Sequence, residues 1–146
     1  MAANPMNVKV TLKTVISDEN NREHIDVSAE GKYYEKDETY VLLFNEKDPD
    51  GNNVRNMITI SEDKVVVKRT GHVKMNQIFR EGQRTESTYY HPFGTMRMET
   101  ETKQIDFNRE NNGRQGSLDI TYLLRLNEQE PQNHQLSLTY KREATK

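Results

Sequence analysis

Arg69 is the charged residue whose position carries the most chemistry. It follows Val65 and Val67 at a spacing of two, so in an extended strand it shares their face. If that face is interior, the guanidinium must be paired, with a carboxylate of the protein or with an anionic ligand such as a fatty-acid head group. At a strand end beside Gly71 it can instead reach to water. A second group is aromatic. Tyr89, Tyr90, His91 and Phe93 precede Gly94, inside a stretch from Ser87 to Met96 that carries no full charge. Such rings either line a barrel mouth, with an apolar body and a polar tip, or plug a core while Pro92 and Gly94 make a turn. Met75, Met96 and Met98 are adaptable apolar residues that line a pocket or fill a core.

The remaining candidates for chemistry are sparse. His24, His72, His91 and His134 are dispersed, and none forms a His-x-His or His-Glu-x-x-His pattern. A barrel could still bring His72 and His91 together across strands. Asp48 and Asp50 with Gly51 superficially resemble a calcium loop, but the other ligands and the bidentate Glu are missing, so they read as a turn. There is no Gly-x-Ser-x-Gly elbow, no phosphate-cradling glycine loop and no dinucleotide fingerprint. Glu99 and Glu101 alternate with Met98 and Thr100 and so belong to an outer, solvated face. No catalytic residue, metal ligand or cofactor is assigned.

Composition narrows the classes further. Cysteine is absent, which removes disulfides, thiol nucleophiles and Cys-based zinc sites. Net charge is -2 and the basic residues are interspersed with acids, which gives no footprint for nucleic acid. No run of apolar residues reaches the length of a membrane span; the longest clear one is Tyr40 to Phe44. Residues Met1 to Asn7 have no apolar core of signal-peptide length, and the expectation is a cytoplasmic protein.

The elements that must position these residues read as strands. Val, Ile, Thr, Tyr and Phe number 41 against 4 Ala, which favours sheet over helix. Period-2 alternation recurs along the chain. Val8, Val10 and Leu12 share a face, as do Ile25, Val27, Ala29, Gly31 and Tyr33. The continuous run Tyr40 to Phe44 follows. Then come Asn56, Ile58 and Ile60; Val65 to Lys68; Val73, Met75 and Phe79; and Met96 with Met98. Ile105 with Phe107, Leu118 to Leu126 and Leu136 to Tyr140 close the series. Met75, Ile78 and Phe79 also fit helical spacing, but their neighbours are strands and the segment is short. Asp48-Pro49-Asp50-Gly51, Glu81-Gly82, Asn111-Asn112-Gly113 and Glu130-Pro131 supply turn chemistry.

Ten such runs with short turns make a meander, and a long meander removes its edges by closing on itself. The prediction is one all-β domain over residues 1–146. It is a single antiparallel up-and-down β-barrel of eight to ten strands with an apolar interior and a wet exterior. Its ordered core covers about residues 7–142, with loose ends at Met1–Met6 and Glu143–Lys146. A two-sheet sandwich is the alternative architecture.

The run Lys64-Val65-Val66-Val67-Lys68-Arg69-Thr70-Gly71, followed by Val73-Lys74-Met75-Asn76-Gln77, Phe79 and Gly82, resembles the central signature of the YwiB-like proteins. Tyr89, Phe93-Gly94, Thr100 and the strand Gly116 to Tyr122 are similar to that family's later elements. These are small bacterial β-barrel proteins classed as a domain of unknown function. The resemblance runs from about Val8 to Tyr140. It implies a calycin-like barrel, the architecture of lipocalins, and it implies no activity.

Three readings of function follow. In the first the barrel binds a small apolar or anionic molecule, with Arg69 as polar anchor. Tyr89, His91, Phe93, Met75, Met96, Phe107 and Tyr122 then line the site. In the second the barrel is filled by its own side chains and acts through its exterior. In the third it is an enzyme, which would need Arg69, His72, His91 and a carboxylate within hydrogen-bond reach. Neither nucleic acid nor membrane insertion is expected, and the chain is a monomer or a homodimer.

Overall fold

The computed structural model describes residues 5–48 and 50–143. Residues 1–4, Pro49 and residues 144–146 of the expected loose ends and turn lie outside them. The described residues contain ten strands and no helix. These are β1 (Met6–Ser17), β2 (Arg22–Lys36), β3 (Thr39–Lys47), β4 (Asn53–Ile60), β5 (Val65–Gly71), β6 (Lys74–Phe79), β7 (Arg84–His91), β8 (Gly94–Glu110), β9 (Gln115–Leu126) and β10 (Gln132–Arg142). Each pairs antiparallel with its sequence neighbours, and β1 pairs with β10 from Val8↔Arg142 to Ser17↔Asn133. The meander is therefore a closed barrel, and the sandwich is excluded. Met6 already belongs to β1, and the Glu143 amide donates to the Asn7 carbonyl at 3.0 Å, so order extends to both ends of the seam.

The strand count hides two compensating differences from the sequence reading. Met96/Met98 and Ile105/Phe107 belong to one strand, β8, not two. Its ladder with β9 shifts between Thr102 and Gln104, leaving Lys103 as the extra residue of a β-bulge. Met96, Met98, Thr100 and Thr102 face inward before the bulge, and Ile105 and Phe107 after it. The switch of parity is what made one strand look like two. Conversely, β7 shows little apolar alternation, because its inward residues are Thr85, Ser87, Tyr89 and His91. It is held by its full register with β8, from Arg84↔Glu101 to His91↔Gly94. The ambiguous segment around Met75 is the strand β6, with Met75, Gln77 and Phe79 buried.

The interior is apolar as expected: Val8, Val10, Leu42, Ile58, Phe79, Leu118, Ile120 and Leu138 are buried in one cluster. The exterior is not uniformly wet. Tyr34, Val41, Thr59, Val66 and Ile78 lie opposite one another across β2 to β6, in the outward register. Val41 is only 6% exposed. The apolar runs of β3 and β5 place hydrophobic side chains on both faces, and that accounts for the difference.

One end of the barrel is plugged by rings. Tyr33 stacks on Tyr140 at 4.2 Å between centroids, and Tyr40 packs against Phe107 at 5.2 Å. Arg109 lies 4.6 Å above the Tyr40 ring and is ion-paired with Glu35, which also accepts from the Tyr33 hydroxyl at 2.9 Å. The Tyr140 hydroxyl donates to the Gly113 carbonyl at 3.0 Å. Gly116 makes room for this ring: a Cβ there would stand 2.6 Å from Tyr140 Cε1. Burial and the neighbouring phenol and carboxylate push the Tyr33 hydroxyl far above the usual tyrosine range.

Candidate functional site

The other end opens into a cavity of about 540 Å³. Its walls come from the C-terminal halves of β1, β3, β5, β7 and β9 and the N-terminal halves of their partners. Leu12, Ile58, Val67, Met98, Leu124 and Leu136 form an apolar lining. Alternation fixes each of these: they are the inward residues that the plug does not use.

Polar groups interrupt this lining at a few places. Arg69 faces inward in register with Val65 and Val67, between Asn56 and Met75 on the adjacent strands. Its Nη2 donates to Glu46 Oε1 at 2.8 Å, and Asn56 Nδ2 donates to the same oxygen at 2.8 Å. The guanidinium is thus neutralised by the protein's own carboxylate, while its Nε is buried without a partner. Gln77 Nε2 donates to Thr100 Oγ1 at 3.0 Å. His134, on β10 at the opposite wall, is 6% exposed, and its Nε2 also has no partner. Burial lowers its pKa to about 4, so the ring is neutral near pH 7. Tyr122 stacks on His134 at 5.0 Å and meets Phe79 edge-on at 4.8 Å. Burial raises its hydroxyl well above the usual range, against a smaller opposing effect of Arg69.

At the mouth the aromatic residues form a ladder. Tyr89 and His91 stand 6.1 Å apart, and His91 and Phe93 5.2 Å, in near-parallel stacks. The Phe93 amide donates to His91 Nδ1 at 3.1 Å, so a neutral His91 ring carries its proton on Nε2. Phe93 is 93% exposed at the tip of the β7–β8 hairpin. Asp48 caps its own turn, accepting from the amides of Asp50 at 3.0 Å and Asn52 at 2.9 Å.

Arg69, Tyr89, His91, Phe93, Met75, Met96 and Tyr122 all line the cavity. Phe107 does not. It lies beyond the β8 bulge at the plugged end, against Tyr40. Spacing alone could not place it, because the bulge determines which end of the barrel its strand segment serves. Glu46, Asn56, Gln77 and His134 were missed. Their signal was the same alternation: Glu46 continues Leu42 and Phe44, and His134 continues Leu138 and Leu136. A constellation of Arg69, His72, His91 and one carboxylate is not assembled. Arg69 is bound to Glu46, His72 lies 3.7 Å from Asp48, and His72 meets His91 only through rings 6.1 Å apart. Among the described residues no group of three or more His, Cys, Asp or Glu is arranged to hold a metal ion.

Residues 10–138 match a family described as Domain of unknown function (DUF1934). The chain is 32% identical over 133 residues to the "Uncharacterized beta-barrel protein YwiB" of Bacillus subtilis (strain 168), covering 91% of this chain and 92% of that protein. The crystal structure of the ywiB protein from Bacillus subtilis superimposes with a TM-score of 0.87 at 29% identity. The match covers 98% of this chain and 96% of the other. The chain belongs to this YwiB-like, DUF1934 family of β-barrel proteins.

Proposed function

We propose that the barrel is a binding cup for one small, largely apolar molecule with a polar end. The observation that carries this reading is the cavity of about 540 Å³ at the end opposite the ring plug, lined mainly by aliphatic and methionine side chains. Its size lies within the roughly 300–1,000 Å³ of small-molecule sites. A barrel filled by its own side chains would leave no such space, so the volume favours binding over a purely structural role. Two buried polar atoms without partners, Arg69 Nε and His134 Nε2, support a ligand with its own hydrogen-bonding group. No constellation for proton transfer or nucleophilic attack accompanies them, and the reading assigns no reaction.

Native mass spectrometry of the purified protein tests it, alongside titration with the uncharged dye phenylnaphthylamine. The expected result is a bound mass lost on denaturation, or dye fluorescence that rises on binding. Either signal disappears in Val27→Trp, where an indole fills the cup at the level of Leu12. A wild-type protein with neither a bound mass nor dye binding refutes the cup. So does a signal that Val27→Trp, still folded by circular dichroism, leaves intact.

A further inference from the structure

Resting on the binding reading above, the geometry points to a specific class of ligand: we propose that the cup selects a cationic amphiphile, with its tail inside and its ammonium group at the mouth. The argument begins with charge placement. The loops at the open end carry Asp18, Glu19, Asp48, Asp50, Glu128 and Glu130, and no Lys or Arg. Glu23 adds a carboxylate in the inward register of Ile25 and Val27. Of the cations nearest this rim, Arg69 faces inward against Glu46, and Arg22, Lys47, Arg55, Lys74, Arg97 and Arg125 occupy outward positions of their strands. Arg97 and Arg125 are drawn to Glu99 there, at 3.3 and 3.9 Å. The loops at the plugged end mix their acids with Lys64, Arg80 and Arg114. The asymmetry is therefore a property of the mouth, not of the whole surface.

Two mouth carboxylates are fixed as anions by their turns. Backbone amides of Asn20 and Asn21 hold the Asp18 carboxyl below its ordinary range, and the Asn52 amide does the same first for Asp48. A ring of carboxylates over a low-dielectric cup raises the local concentration of cations and repels anions.

The interior offers an anion no net positive charge, and one unpaired cationic donor, the Arg69 Nε. Arg69, the one Lys or Arg among the described residues lining the cavity, is already neutralised by Glu46, and that carboxylate is shared with Asn56. His134 is neutral and presents an unpartnered, buried ring nitrogen to the cavity as a hydrogen-bonding partner for a polar group. What the upper wall does offer a cation is π-surface. Tyr89, His91 and Phe93 follow one another up β7 to the rim, and aromatic faces attract ammonium groups. The tail then runs down among Leu12, Met75, Met98 and Leu136.

Displacement of phenylnaphthylamine by three amphiphiles of one chain length tests the proposal: decyltrimethylammonium, decanol and decanoate, each below its micelle concentration. The expected order is ammonium, alcohol, carboxylate, with about a tenfold or larger gap between the first and last at low salt that narrows as salt rises. The exposed mouth variant Glu19→Gln, Asp50→Asn, Glu128→Gln, Glu130→Gln should close most of that gap and leave decanol unchanged. None of these four side chains supports a turn, so folding is retained. Decanoate binding as tightly as the ammonium, or a gap that survives the four substitutions, overturns the charge selection while the cup reading stands. Dye binding that none of the three displaces does the same. Failure of the dye itself to bind, with no bound mass on the native protein, removes the cup and the selection together.

Discussion

His134 is the interior residue whose chemistry is most readily measured. Its folded pKa is lowered to about 4 by burial, below the ordinary 6.5 of the unfolded chain. The unfolded state therefore takes up a proton first as pH falls. Stability from this group is complete above about pH 6.5 and is lost as pH drops toward 4, by roughly 3 kcal/mol in all. Urea midpoints measured at several pH values in this window should show that slope, and His134→Phe, which keeps the stack on Tyr122, should flatten it. An unchanged slope in the variant would assign the acid sensitivity elsewhere. At this scale the sequence was informative wherever apolar residues led the alternation. Val65 and Val67 revealed Arg69 by their spacing. Glu46 obeys the same rule but ends its strand beside Asn45 and Lys47, where a carboxylate reads as surface. The pairing of Arg69 with Glu46 joins β5 to β3 across β4, and no one-dimensional spacing records that contact.

At the level of the strand, β8 shows how one extra residue reorganises a reading. Lys103 sits in the bulge, so its deletion would leave Thr102 and Ile105 both inward and the ladder with β9 regular. Deletion of Asp106 instead turns Phe107 and Arg109 outward and removes Arg109 from Glu35 and the Tyr40 ring. The first deletion should melt cooperatively at a reduced temperature. The second should cost several kcal/mol more than the first, through the lost Phe107 ring and Arg109 contacts, and melt at a still lower temperature. Equal tolerance of both would show that the inward set beyond the bulge is not what holds β8. Legibility differed between elements for a physical reason. β9 and β10 alternate apolar residues against a buried face and were plain, whereas β7 is paired through its backbone and packs Thr85 and Ser87 inward. The hairpin joining β2 to β3 was equally quiet, since Asp37 and Glu38 adopt the left-handed conformation, with φ of 51° and 63°, without a glycine or asparagine to announce it.

For the molecule as a whole, the plug converts a tube into a cup. Tyr140 is 1% exposed, and Tyr140→Ala should cost about 3–5 kcal/mol through the void it leaves. Tyr140→Phe, which gives up only the hydrogen bond to the Gly113 carbonyl, should cost about 1 kcal/mol. Denaturant midpoints of the two variants check this. Comparable losses would mean that the hydroxyl, and not the ring, seals the end. Closure into a barrel was legible because ten alternating segments cannot leave their edges bare. Whether the interior was full or hollow was not. That depends on the volumes of inward side chains summed around the circumference: at one end the Tyr33, Tyr40, Phe107 and Tyr140 rings meet across the interior, and at the other the lining residues leave a cavity.

The seam between β1 and β10 has a consequence for how the barrel comes together. Every other strand pair forms between neighbours in the chain, so it can assemble hairpin by hairpin. The seam joins Val8 to Arg142 and must wait until both extremities of the meander are present. Its loop-closure entropy is the largest in the fold, which makes it the natural late and slow event. Without it the meander would be an open curved sheet with two unpaired edges of eleven or twelve residues, a form exposed to pairing with another copy. A circular permutant that joins the adjacent ends at Asn7 and Glu143 and opens at the tight Asp37–Glu38 turn would carry the same cup with its seam relocated to β2 and β3.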